Sequence, residues 1–198
     1  MATIPENNNL LTAMQSRFFE EDAACLCRLV RICFQMVHPR YEDIDMAGEE
    51  KDECLLTAFQ ERIVLPAHSG PGGGWNDRSL SLQAGEYYTM PPVVWHLMCY
   101  AENQGRFLPD QALEKALRSV LGEETTETAA LFRESRKHAR KGQIEAGLFA
   151  ALARNLGLDL DLHDTLDCYV LLGIASPCSK GEVHTGLVWY ELNPCLFY

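Results

Sequence analysis

His68 and Asp77 stand within one loop, "LPAHSGPGGGWNDRS" from Leu65 to Ser79, whose glycines and prolines leave the backbone free to carry side chains into place. An imidazole and a carboxylate brought together there would form a general acid/base pair, with Trp75 lining a pocket. The plainer reading makes the loop a connector, with Trp75 anchoring it to the core and Asn76 or Asp77 opening a turn. Residues 69–74 have a composition that fits a lid and a connector alike. Their glycines match no phosphate-binding pattern. Gly70, Gly72, Gly73 and Gly74 follow a helix-ending proline, not a strand, and lead to Trp75-Asn76-Asp77 where a Walker loop has Lys-Ser/Thr.

Cys178 offers a second chemistry. In "SPCSKGEVH" it precedes His184 by six residues, and a thiol near an imidazole can serve acyl transfer. The spacing carries no local signature, so an incidental loop cysteine explains it equally. The other cysteines, Cys25, Cys27, Cys33, Cys54, Cys99, Cys168 and Cys195, sit mostly in apolar periodic segments, where a thiol packs as a small hydrophobe. No C-x-x-C pair is present, and the C-x-C pair Cys25/Cys27 would point about 200° apart on a helix. Reduced, mostly buried thiols are expected, with no metal site and no cofactor.

A third group is the run "DLDLHDTLD". Asp159, Asp161, His163, Asp164 and Asp167 are oxygen and nitrogen donors of the kind that hold a divalent cation, but the run lacks the glycine and distal glutamate of a calcium loop. Asp161 or Asp164 reads more simply as the N-cap of the helix that follows.

Charge decides between classes of partner. The 198-residue chain has 17 basic and 28 acidic side chains, net −11, and neither half is basic. Affinity for nucleic acid or an anionic membrane is therefore not expected, since both depend on Lys and Arg meeting phosphate. Glu42, Asp43, Asp45, Glu49, Glu50, Asp52 and Glu53, with Lys51, form an acidic cluster of net −6. Arg133 to Lys141 form a basic one of net +4. The two are solvated faces, partners of each other within the molecule, or docking surfaces. A basic-segment nucleic-acid site is opposed by the overall acidity.

These groups must be held by elements that are mostly helical. Hydrophobic spacing places a long helix or kinked pair from Leu11 to Met36, jointed near Glu20 to Asp22 and ended by His38-Pro39. A second helix runs from about Glu49 to Val64. A small hairpin is expected around Ala84-Gly85. Pro91-Pro92 open a helix that Gly105 closes; others end at Gly122, run from Thr125/Thr126 into Lys141-Gly142, cover "QIEAGLFAALARNLG" to Gly157, and pass through "TLDCYVLLGIA". The tail "VHTGLVWYELNPCLFY" suggests one or two strands, paired with the hairpin near residue 80. The fragment "KGQIEAGLFAALARNLGL" resembles a helix-turn-helix-like phrase found in many α-helical proteins, including cap segments of some phosphatases, whose amino-terminal aspartate motif is absent here.

The expected fold is mainly α (α+β): about six to seven helices with a small β-hairpin and C-terminal strand element, in one domain over 1–198 that would divide, if anywhere, near 66–90. No secretory signal or membrane-length apolar run is apparent, which suggests a soluble, cytoplasmic protein. The expected function is protein–protein binding, as an inhibitor, adaptor or immunity-type factor that engages a basic partner through residues 42–53 and Trp75. The alternative is a hydrolase or transferase using His68 with Asp77 or Cys178 with His184.

Overall fold

The structure is a computed structural model, which describes residues 8–67, 74–75, 78–178 and 188–198. Helix α1 (Asn9–Gln15) buries Leu10, Ala13 and Met14, and α2 (Glu20–Gln35) buries an apolar stripe from Ala23 to Cys33. The break at residues 16–19 makes the first segment a kinked pair. Three acids in the first turn of α2 face the positive end of its dipole. Helix α3 (Gly48–Gln60) stops short of the expected Val64. Arg62 turns left-handed at φ 58°, and the Ile63 N–H returns to the Ala58 carbonyl at 2.8 Å.

Leu65–Pro66 (β1) pairs antiparallel with Tyr88–Thr89 (β2). The expected hairpin around Ala84-Gly85 is replaced by this non-local pairing, tied down by the Tyr88 N–H on the Pro39 carbonyl at 3.0 Å. Helix α4 (Pro92–Gln104) starts on proline and ends at left-handed Gly105, and α5 (Pro109–Leu121) ends at Gly122, as the spacing predicts.

The second half runs α6 (Thr126–His138), β3 (Gln143–Glu145), α7 (Ala146–Leu156), α8 (Leu162–Leu171), β4 (Ala175–Cys178) and β5 (Trp189–Leu192). The three strands form one antiparallel sheet in the order β3-β5-β4. Two expectations change here. Gln143–Glu145, predicted as the start of a helix, is a strand because Ile144 lies opposite Tyr190 in the sheet. The tail strands pair with each other and with β3, and not with the region near residue 80. The segment thus runs helix, strand, two helices joined by residues 157–161, then two strands, with β5 lying between β3 and β4. Its centre is Tyr169 on α8, fully buried, edge-on to Phe132 of α6, tilted against Phe149 of α7, and donating from its hydroxyl to the Thr128 carbonyl at 2.6 Å.

The molecule is thus mainly helical, with eight α-helices and two small antiparallel sheets among the described residues. Most of the buried apolar side chains, from Leu10 to Leu196, make one connected cluster, with Leu65, Trp75 and Cys178 buried outside it. No helix among the described residues is long and apolar enough to cross a membrane.

Candidate functional site

His68, Asp77 and His184 lie outside the described residues. Trp75 is only 4% exposed, with its backbone N–H on the Ser176 hydroxyl at 2.9 Å. It is an anchor, so its ring does not stand on an open docking face. Gly74 beside it passes so near β4 that a Cβ would overlap the Pro177 carbonyl. Cys178, expected on an exposed loop, is 7% exposed on β4 opposite Trp189. No disulfide joins any of the eight cysteines; seven are buried and Cys99 is half-buried.

The acidic cluster is partly consumed by local structure. Glu42 accepts from the Gly85 N–H at 2.9 Å, which holds its carboxyl below the usual range, and Asp43 accepts from the Arg40 N–H. Asp52 accepts from the Tyr41 hydroxyl at 2.7 Å, and Glu50 pairs with Arg28. Lys51 lies over the Tyr41 ring. Asp45, Glu49 and Glu53 are exposed and have no such partner among the described residues.

Three members of the basic cluster pair with acids. Arg133 pairs with Glu114 and Asp110, Arg136 with Asp110 at 3.3 Å, and Lys137 with Glu134 at 2.7 Å. Arg136 also donates to the Leu196 carbonyl at 2.8 Å. No ion pair joins this cluster to residues 42–53 among the described residues.

The run "DLDLHDTLD" supplies the cap expected of it. Asp161 accepts from the His163 and Asp164 N–H groups at 2.9 and 3.1 Å and opens α8. Removing this cap with Asp161→Ala is expected to lower stability by about 1 kcal/mol, read by urea unfolding.

The same run also forms one wall of a groove that the sequence did not reveal. Two adjoining clefts of about 450 and 310 Å³ share Glu124 and Leu160. They lie between the α5–α6 turn and the α7–α8 turn. Their walls carry Glu124, Glu127, Asp159, Asp161 and Asp164 over an apolar floor of Leu121, Leu160 and Cys168, with no lysine or arginine among the lining residues. The signal available was two helix-ending glycines, Gly122 and Gly157, each followed within a few residues by acids. Only the fold sets those turns side by side.

Comparison with known proteins adds membership without an activity. No curated protein and no solved structure matches the chain. A family model covers residues 15–198, nearly the whole length, and the chain belongs to that family.

Proposed function

We propose that this protein works by binding another protein, one that presents a basic segment to the acidic groove. The observation that carries the reading is the groove itself: five carboxylates and no cation line an apolar-floored channel beside α8. In a DNA-binding helix-turn-helix the second helix enters the major groove. In the α7–α8 pair the second helix, α8, has Asp164 and Asp167 and no lysine or arginine. Phosphate is repelled from such a face, whereas a lysine- or arginine-rich peptide gains both charge complementarity and apolar contact.

Asp45, Glu49 and Glu53 form a second acidic face on the loop before α3 and on α3 itself. With no ion-pair partner among the described residues, they steer a basic partner towards the molecule and affect encounter more than residence.

The experiment is capture from native lysate, followed by kinetics on the recovered partner. Reversing Glu124, Asp159 and Asp164 to lysine is expected to abolish capture. Reversing Asp45, Glu49 and Glu53 is expected to slow association and leave dissociation unchanged. Duplex DNA at low salt is expected to bind neither form. Capture that survives the groove reversal at both low and high salt would sink the proposal.

A further inference from the structure

Only two non-glycine residues among the described residues have left-handed backbones, Arg62 at φ 58° and Lys141 at φ 52°. Both lead to one cleft, Lys141 as part of its lining and Arg62 through its pair with Glu191. This cleft, of about 400 Å³, is lined by Arg17, Lys141, Glu191, Leu192, Pro194 and Phe197, among others. Arg62 pairs with Glu191, with Nε–Oε1 and Nη2–Oε2 distances of 3.1 and 3.4 Å. Strained backbone of this kind concentrates where geometry serves binding.

Lys141 is the more telling of the two. It sits with Gly142 at the centre of a two-residue turn, closed by the Arg140 N–H on the Gln143 carbonyl at 2.8 Å and the reciprocal bond at 3.0 Å. Both central positions of such a turn need positive φ, and glycine or asparagine fills them at least strain. A lysine there is held in an unfavourable conformation, with its side chain at the cleft. Arg17 is positioned too, its guanidinium 5.1 Å from the centre of the Tyr198 ring.

The charges in the cleft do not cancel. Glu191 is committed to Arg62, and their side chains are only 14% and 9% exposed. Arg17 and Lys141 are exposed cations with no ion-pair partner among the described residues. Two cations at one cleft stand out in a chain of net charge −11. Leu192, Pro194 and Phe197 add apolar surface, and the volume falls in the range of small-molecule sites.

We propose that this cleft binds a small organic anion: a carboxylate carried on a ring or short apolar body, with its charge between Arg17 and Lys141 and its body against Leu192, Pro194 and Phe197. The site is separate from the acidic groove, which has the opposite charge.

The test is fluorine NMR of 4-fluorobenzoate titrated with the full chain, with methyl 4-fluorobenzoate as the neutral control. Saturable binding of the acid and none of the ester is expected. The Arg17→Gln/Lys141→Gln double variant is expected to weaken binding at least about tenfold, and Arg118→Gln, outside the cleft, to leave it unchanged. Lys141→Gly separates the role of the side chain from that of the fold: it is expected to raise the melting temperature by relieving the turn while still weakening the anion. No saturable binding, equal binding of the ester, or full binding by the double variant would overturn the proposal.

Discussion

Arg62→Ala is expected to remove about 3–5 kcal/mol of stability, because it takes the guanidinium away from a carboxylate that stays mostly buried. Arg62 is 7% exposed and also donates from Nη1 to the Phe59 carbonyl at 3.1 Å, so one substitution removes a partner from both Glu191 and the end of α3. The left-handed backbone does not confuse the measurement, since alanine and arginine are comparably disfavoured there. Replacing both partners with similarly sized apolar residues, Arg62→Met with Glu191→Met, is expected to recover most of the loss. Urea unfolding of the two singles and the double gives the coupling directly. A loss below about 1 kcal/mol in Arg62→Ala would mean that the pair is solvated like a surface bridge.

The second large effect is expected at Tyr169. Tyr169→Ala should remove about 3–5 kcal/mol, the usual range for emptying a fully packed aromatic site. Phe132 and Phe149 each lose a ring contact, so α6, α7 and α8 all lose their common neighbour. Tyr169→Phe keeps the ring and deletes only the hydroxyl donor to the Thr128 carbonyl, for which about 1 kcal/mol is expected. Thermal unfolding of both variants checks the difference. If the two substitutions cost the same, the hydrogen bond and not the ring would be the organising contact.

Much of the helical frame was legible because its signals are local. Leu113 and Leu117 face inward as their spacing predicts, and Gly105, Gly122 and Gly157 end helices where glycine does so cheaply. The strands were harder because their evidence is non-local. Nothing in "QIE" separates three strand residues from a first helical turn until Tyr190, far along the chain, lies opposite Ile144. Tyr88 pairs with Pro66 across the glycine loop and not with a hairpin neighbour, for the same reason.

The candidate site divides along the same line. Asp161 could be read as a cap from a few residues of sequence. Cys178 read as an exposed loop cysteine beside a proline, yet it is 7% exposed on β4, which pairs with β5. The acidic groove takes its walls from two turns more than thirty residues apart. Lys141 looked like one more charge at the end of a basic run until its backbone angle set it apart.

The eight thiols make the molecule its own reporter of opening. Burial pushes Cys27 up to about 11, Cys33 to about 12 and Cys195 to about 12, so in the folded state these are poor nucleophiles as well as shielded ones. Half-buried Cys99 is the first to meet an alkylating reagent. The others, each no more than 7% exposed, become accessible as α2, α3, α8, β4 or the C-terminal turn detaches, so the order of labelling traces the order in which the structure comes apart. In an oxidising environment the same chemistry works against recovery: once unfolded, a chain with eight cysteines has many wrong pairings open to it and no native disulfide to find.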